Sequence, residues 1–278
     1  MKVMNSTFFT ENEDLNEIIF SSISNCNKDI KKISSGWTNI VFDIISNNEH
    51  YIVKFPRDQF WSNCIEKDAL ISNFVNSSIG INSAKINIHY NNNRPFLLYK
   101  KIDGDVLTEK IKILDKDEIK NIVQDLAKIF YKFHSFDVKK LPDIAQNKFY
   151  DFITNIPKLN EDSYDYSLFN QMKNDEKDEK KVFIHGDLNI GNVLLDKNKR
   201  VLAIIDYAFA GIGDIYTDLS RMSCRTNDYF FELLLEEYEK ISNIKLNREK
   251  IENRKILWKY IEEEYMKFMK IVHPEVTI

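Results

Sequence analysis

The spacing of apolar residues changes near position 100. Leu15, Ile18, Ile19 and Ile23 recur at helical intervals, predicting an amphipathic helix within residues 12–25. Residues 40–45 and 51–55 are instead β-branched and aromatic runs. They flank the polar Ser46-Asn47-Asn48-Glu49, the pattern of a β-hairpin, and Pro56 ends the second strand. A second hairpin is expected from residues 86–90 and 95–99 around Asn91-Asn92-Asn93. Between the two hairpins, Ile65, Ala69, Leu70, Phe74 and Val75 form a rough apolar stripe, giving a helix over 62–76.

Residues 115–136 are strongly helix-periodic through Ile119, Ile122, Val123, Leu126, Ile129, Phe130 and Phe133. The pattern weakens over 140–180 and ends in a charged run, 173–181. Two short strands, 193–195 and 202–205, are joined by Asp196-Lys197-Asn198-Lys199, and 216–272 reads as helical. No internal repeat is visible. The expected architecture is α+β and two-lobed, with a β-rich N-terminal lobe (1–100) and a larger helical C-terminal lobe (101–278) that carries one small hairpin.

Composition narrows the function. Hydrophobic residues make up 43% and charged residues 29%, ordinary for a globular chain. The net charge of −4 gives no basic footprint for nucleic acid, and no apolar run approaches the length of a membrane span. The N-terminus, with Glu11, Glu13 and Asp14 soon after Phe8-Phe9, is unlike a signal peptide. The 3 cysteines are scattered without a CxxC pair, so a reduced cytoplasmic protein without zinc is expected. Glycine is scarce, yet Gly186, Gly191, Gly211 and Gly213 crowd one stretch of the chain, four of 7 in all.

That stretch carries the chemistry. In Phe183-Ile184-His185-Gly186-Asp187-Leu188-Asn189-Ile190-Gly191-Asn192-Val193-Leu194-Leu195, a polar loop is pinned between two apolar runs, fixing Asp187 and Asn192 at a set separation. A carboxylate beside an oxygen ligand suits phosphoryl transfer. Asp206 follows a second apolar strand, in Ile204-Ile205-Asp206-Tyr207-Ala208-Phe209-Ala210-Gly211-Ile212-Gly213-Asp214. Alone, Asp187 could be a helix cap and Asn192 a turn residue; their joint occurrence with Asp206 argues otherwise.

The double motif resembles the signature of the aminoglycoside phosphotransferase family, which shares the protein-kinase-like fold and is related to choline, homoserine and methylthioribose kinases. The resemblance implies Asp187 as catalytic base, Asn192 and Asp206 as Mg²⁺ ligands, and His185 as the residue that fixes the loop. Asp214 and Asp218 resemble a structural acidic pair; Asp218 either caps a helix or buttresses the catalytic loop. It also implies a nucleotide site in the N-terminal lobe, with Lys54 on the phosphates and Glu66 as its ion-pair partner. Asp68 is the rival partner, since residues two apart do not share a helix face. Ser35 and Gly36 stand where the nucleotide-covering loop is expected, although this loop has one glycine where protein kinases have several. Leu98, Tyr99 and Lys100 resemble the hinge that meets the purine, with ATP and GTP equally open.

There is no room after Asp206 for a long activation loop and no Ala-Pro-Glu signature, which excludes a protein kinase. A small acceptor follows. The resemblance is nearest to the 2″-type aminoglycoside kinases, implying a cationic antibiotic as acceptor and resistance as the outcome. Glu236, Glu239 and Glu263, with Asp187, are the candidate contacts to it. Other hydroxylated metabolites, or a nucleotide-binding pseudokinase, are the alternatives. A monomer without nucleic-acid or membrane partners is expected.

Overall fold

The structure is a computed structural model that describes residues 8–10, 13–23, 26–33, 37–153, 155 and 166–274. Ser35 and Gly36 lie outside the described residues. The N-terminal part is a helix, α1 (Leu15–Ser22), on a five-stranded antiparallel sheet of β1 (Cys26–Ile33), β2 (Asn39–Ser46), β3 (Glu49–Pro56), β4 (Asn87–Asn91) and β5 (Arg94–Lys100), in the order β1-β2-β3-β5-β4. Both expected hairpins form. Asn47 and Asn48 (φ 51° and 62°), and Asn92 and Asn93 (φ 50° and 65°), occupy the left-handed region at the turns. Such pairs of positive φ match the twist of the flanking strands, and asparagine tolerates them.

Alternation along the strands sorts side chains between two cores. Val53, Phe55, Phe96 and Leu98 pack with Phe9, Leu15 and Ile19 on one face. Ile52, Leu97 and Tyr99 pack on the other face, against Ile65 and Ala69 of α2 (Gln59–Phe74). Lys54 shares the second face, and the side chain of a cation there must find a carboxylate or lie in a cleft.

A short strand, β6 (Asp105–Val106), leads through α3 (Leu107–Lys110) into α4 (Lys116–Ser135). Asp115 caps α4 in a capping box with Glu118. After α5 (Phe149–Ile153) and α6 (Tyr166–Asp175) come β7 (Val182–Ile184), β8 (Val193–Leu195), β9 (Val201–Ile204) and β10 (Gly211–Gly213), then α7 (Ile215–Arg221), α8 (Asp228–Ser242) and α9 (Arg248–Val272). β6, β8 and β9 form one small sheet, and β7 and β10 another. The main core lies where α4 and α8 face each other, through Leu126, Phe130, Phe133, Leu234 and Tyr238. Among the described residues no helix is long and apolar enough to cross a membrane.

Candidate active site

β7 and β8 are both completely buried, so the turn between them, residues 185–192, is held rigidly at each end. Within it Gly186 has φ +76°, and a Cβ there would come within 2.4 Å of the Phe209 carbonyl oxygen. Only glycine fits. Asp218, fully buried on α7, accepts the amides of His185 (3.2 Å) and Gly186 (2.8 Å) and contacts His134 Nε2 (3.1 Å). Asp218 is therefore the loop's buttress rather than a helix cap. The contact puts the His134 proton on Nε2, leaving Nδ1 to accept the Tyr238 hydroxyl at 2.8 Å. Asp214 is the cap of α7, bonded by the Thr217 amide at 2.9 Å.

His185 is buried, with Nδ1 accepting the Asp187 amide (3.3 Å) and Nε2 donating to the Ile205 carbonyl (3.2 Å). It ties the turn to the end of β9 and has no nitrogen left over for proton transfer. Asn192 donates its amide to the Asp187 carbonyl at 2.8 Å and lies 3.3 Å from Oδ2, turning its own Oδ1 the other way. The Ile205 amide donates to the Asn192 carbonyl at 3.1 Å, so Asp206 directly follows the residue paired with Asn192 at the end of the β8–β9 hairpin. Asp206 sits at φ 70°, a strained conformation for a residue with a side chain.

Across the cleft, Lys54 Nζ lies 3.2 Å from Asp68 and 3.5 Å from Asp206. Burial would lower the Lys54 pKa, but Asp206 and Asp68 outweigh it and hold the ammonium well above its usual value. Burial pushes the Asp68 carboxyl up, against the pull of Lys54. Asp68 also accepts the Tyr207 amide at 2.8 Å, linking α2 to the residue after Asp206.

Glu66 is thus not the partner of Lys54. It is exposed and bonded by the Tyr90 hydroxyl at 2.8 Å, because the inward face of α2 carries Ile65, Asp68 and Ala69. Leu98, Tyr99 and Lys100, the residues expected at the hinge, alternate in facing. Tyr99 lines the cleft, and burial pushes its phenol up to about 12. Leu98 points into the opposite core with its backbone between β3 and β4, and Lys100 turns outward to Glu49. Alternation forbids the neighbours of Tyr99 from sharing its face; Lys101 and Ile102 continue the cleft wall instead.

The expected acidic acceptor face is not at the cleft. Glu236 is exposed, Glu239 is engaged by Lys245 and the Leu246 amide, and Glu263 lies outward near Lys259. Among the described residues the carboxylate that α9 brings to the cleft is Glu262, one position from the expected Glu263. Between it and Asp187 lies Arg221, whose Nε donates to Asp187 Oδ1 and Nη1 to Glu262, both at 2.6 Å. Nothing in the sequence pattern singles out Arg221, because its partners are 34 and 41 residues away.

Lys54, Tyr99, Asp187, Asn192, Asp206, Arg221 and Glu262 all line one cleft of about 840 Å³ between the sheet and the helices. Among the described residues no three His, Cys, Asp or Glu side chains form a protein-only metal cage. Asn192 Oδ1 and Asp206 supply oxygen only, the donor set of a hard cation that completes its shell with water and phosphate.

This combination of antiparallel sheet, helical part and paired aspartate motifs defines a kinase-like phosphotransferase. The chain belongs to the phosphotransferase enzyme family (APH), which matches residues 29–243. Solved structures similar to it include an aminoglycoside 3′-phosphotransferase of type VIII, 16% identical, covering 91% of this chain and 98% of that one with a TM-score of 0.71. An APH(2″) enzyme in complex with GDP and kanamycin is 17% identical, with 92% and 90% covered and a TM-score of 0.68. A choline kinase from Streptococcus pneumoniae is 19% identical, with 94% and 92% covered and a TM-score of 0.66. At these identities the likeness establishes the fold.

Proposed function

We propose that the protein transfers the γ-phosphoryl group of ATP or GTP to a hydroxyl of a small acceptor, an aminoglycoside in the first reading. The observation that carries phosphoryl transfer is the convergence of Asp187, Asn192, Asp206 and Lys54 on one cleft, from a rigid turn, a strand end and the facing sheet. Asp187 accepts the acceptor hydroxyl's hydrogen bond and proton, and Lys54 holds nucleotide phosphates on the sheet side. Asn192 and Asp206 would hold Mg²⁺, which when bound neutralises charge on the transferred group. His185 and Asp218 keep the turn in register.

The aminoglycoside reading is supported by structural neighbours solved with kanamycin, gentamicin or streptomycin. A second reading, another hydroxylated metabolite or antibiotic, is favoured by Arg221. The carboxylates of Asp187 and Glu262 are both paired with its guanidinium, so neither is a free counter-ion for a polycation.

Nucleotide turnover against a panel of aminoglycosides, choline, homoserine and sugars decides between them. Stimulation by aminoglycosides, with raised drug tolerance in cells expressing the chain, is the result expected of the first reading. Stimulation only by other acceptors supports the second. Asp187→Ala should lower turnover of the accepted substrate at least about 100-fold while sparing nucleotide affinity by calorimetry; normal turnover would refute the assignment of the base.

A further inference from the structure

Arg221 lies outside both sequence motifs, yet it is the most tightly held cation at the acceptor end of the cleft. It is 6% exposed, and its guanidinium stacks over the Trp258 ring at 4.7 Å. Burial opposes its charge, but Asp187 and Glu262 outweigh that and hold it protonated. Asp187 Oδ1 receives the 2.6 Å bond from Arg221 Nε, with Asn189 Nδ2 at 3.2 Å, whereas among the described residues Oδ2 has only Asn192 Nδ2 at 3.3 Å. The terminal torsion of an aspartate is soft, so the short charge-assisted bond decides which oxygen faces the cleft. A guanidinium offers Nε–H and Nη–H in one rigid plane and can hold two carboxylates in fixed directions; an ammonium cannot.

We propose that Arg221 is a positioning residue that occupies Oδ1 of Asp187 and so presents Oδ2 to the acceptor hydroxyl, with Glu262 on α9 anchoring the guanidinium. The role in the reaction rests on the phosphoryl-transfer reading above; the clamp itself does not. Through it the base is braced from two sides, by its own turn and by a helix more than 40 residues beyond α7's last residue at the contact point, since Arg221 and Glu262 are 41 residues apart.

The clamp is tested without any acceptor by ¹⁵N NMR of the full chain. The Arg221 Nε–H resonance, assigned by its disappearance in Arg221→Lys, should be protected from exchange and shifted downfield. It should move in Asp187→Asn and lose protection in Glu262→Gln. An unprotected resonance, or one indifferent to Asp187→Asn, overturns the clamp. Its consequence is tested by kinetics on an acceptor the wild type uses. Arg221→Lys and Glu262→Gln should lower kcat about 10- to 100-fold with the nucleotide KM within about twofold. Arg221→Ala should regain part of its kcat when guanidinium ion is added at millimolar concentration. Arg221→Ala removes a buried ion-pair partner and can unfold, so the two milder variants stand independently of it. Unchanged kcat in both, or a loss confined to the nucleotide KM, overturns the positioning role. A wild type that phosphorylates no acceptor while its Nε–H signal behaves as described overturns the phosphoryl-transfer reading and leaves the clamp standing.

Discussion

Lys54 pairs with Asp68 rather than Glu66, and the two carboxylates should respond oppositely to neutralisation. Asp68→Asn weakens a buried ion pair and is expected to destabilise the fold by about 3 kcal/mol and raise the nucleotide KM. Glu66→Gln, on an exposed carboxylate, should stay within about 0.5 kcal/mol of wild type in denaturant melts, with normal kinetics. From the sequence Glu66 was the expected partner and Asp68 its rival, two residues that cannot share a helix face. Which face of α2 turns inward depends on how the helix docks, and that was not legible locally. That Asp187, Asn192 and Asp206 meet at one cleft was legible because short apolar strands in the sequence hold them. Arg221 was not, because its significance comes only from partners brought together by folding. Lys67 gives a second residue-scale test. Burial over the Phe152 ring, 4.4 Å away, lowers its pKa from 10.5 to about 8. Below pH 8 both folded and unfolded chains bind this proton and the folded state bears the full burial penalty. Between 8 and 10.5 the unfolded chain binds more, so the wild type gains stability as pH rises. Lys67→Met should therefore be more stable by about 2 kcal/mol at pH 7, an advantage that shrinks by pH 9.5 in urea melts.

Among elements, the two asparagine hairpins and the long helix α4 were readable because turn chemistry and periodicity are local. β1, β7 and β10 were not. β7 and β10 have three residues each, too short to show alternation, and form only because they pair with each other across 26 intervening positions or more. The wholly buried β7 also reads as a continuous apolar run, which periodicity cannot distinguish from helix. The turn that follows β7 is the element on which the site depends. Gly186→Ala places a methyl group against the Phe209 carbonyl at a left-handed backbone position. It is expected to destabilise the protein by about 2 kcal/mol or more and to abolish turnover, measured by thermal unfolding and nucleotide hydrolysis on the same preparation.

At the scale of the molecule, α2 belongs to both sides of the cleft. Its Ile65 and Ala69 pack under the sheet, while Trp61 packs with Phe209 and donates its indole N–H to the Tyr265 hydroxyl of α9 at 2.8 Å. Tyr265→Phe leaves that buried donor unpaired and should lower stability by about 1–2 kcal/mol. Because the same bond joins the sheet-side helix to α9, the variant should also broaden the range of cleft openings; a distance distribution between spin labels on β2 and α9 checks this. The buried chain from Tyr238 through His134 to Asp218 has a different consequence. It suspends the turn bearing Asp187 from the helices behind it, so a lesion as remote as Tyr238→Phe should be transmitted to the aim of one carboxylate rather than to the fold as a whole.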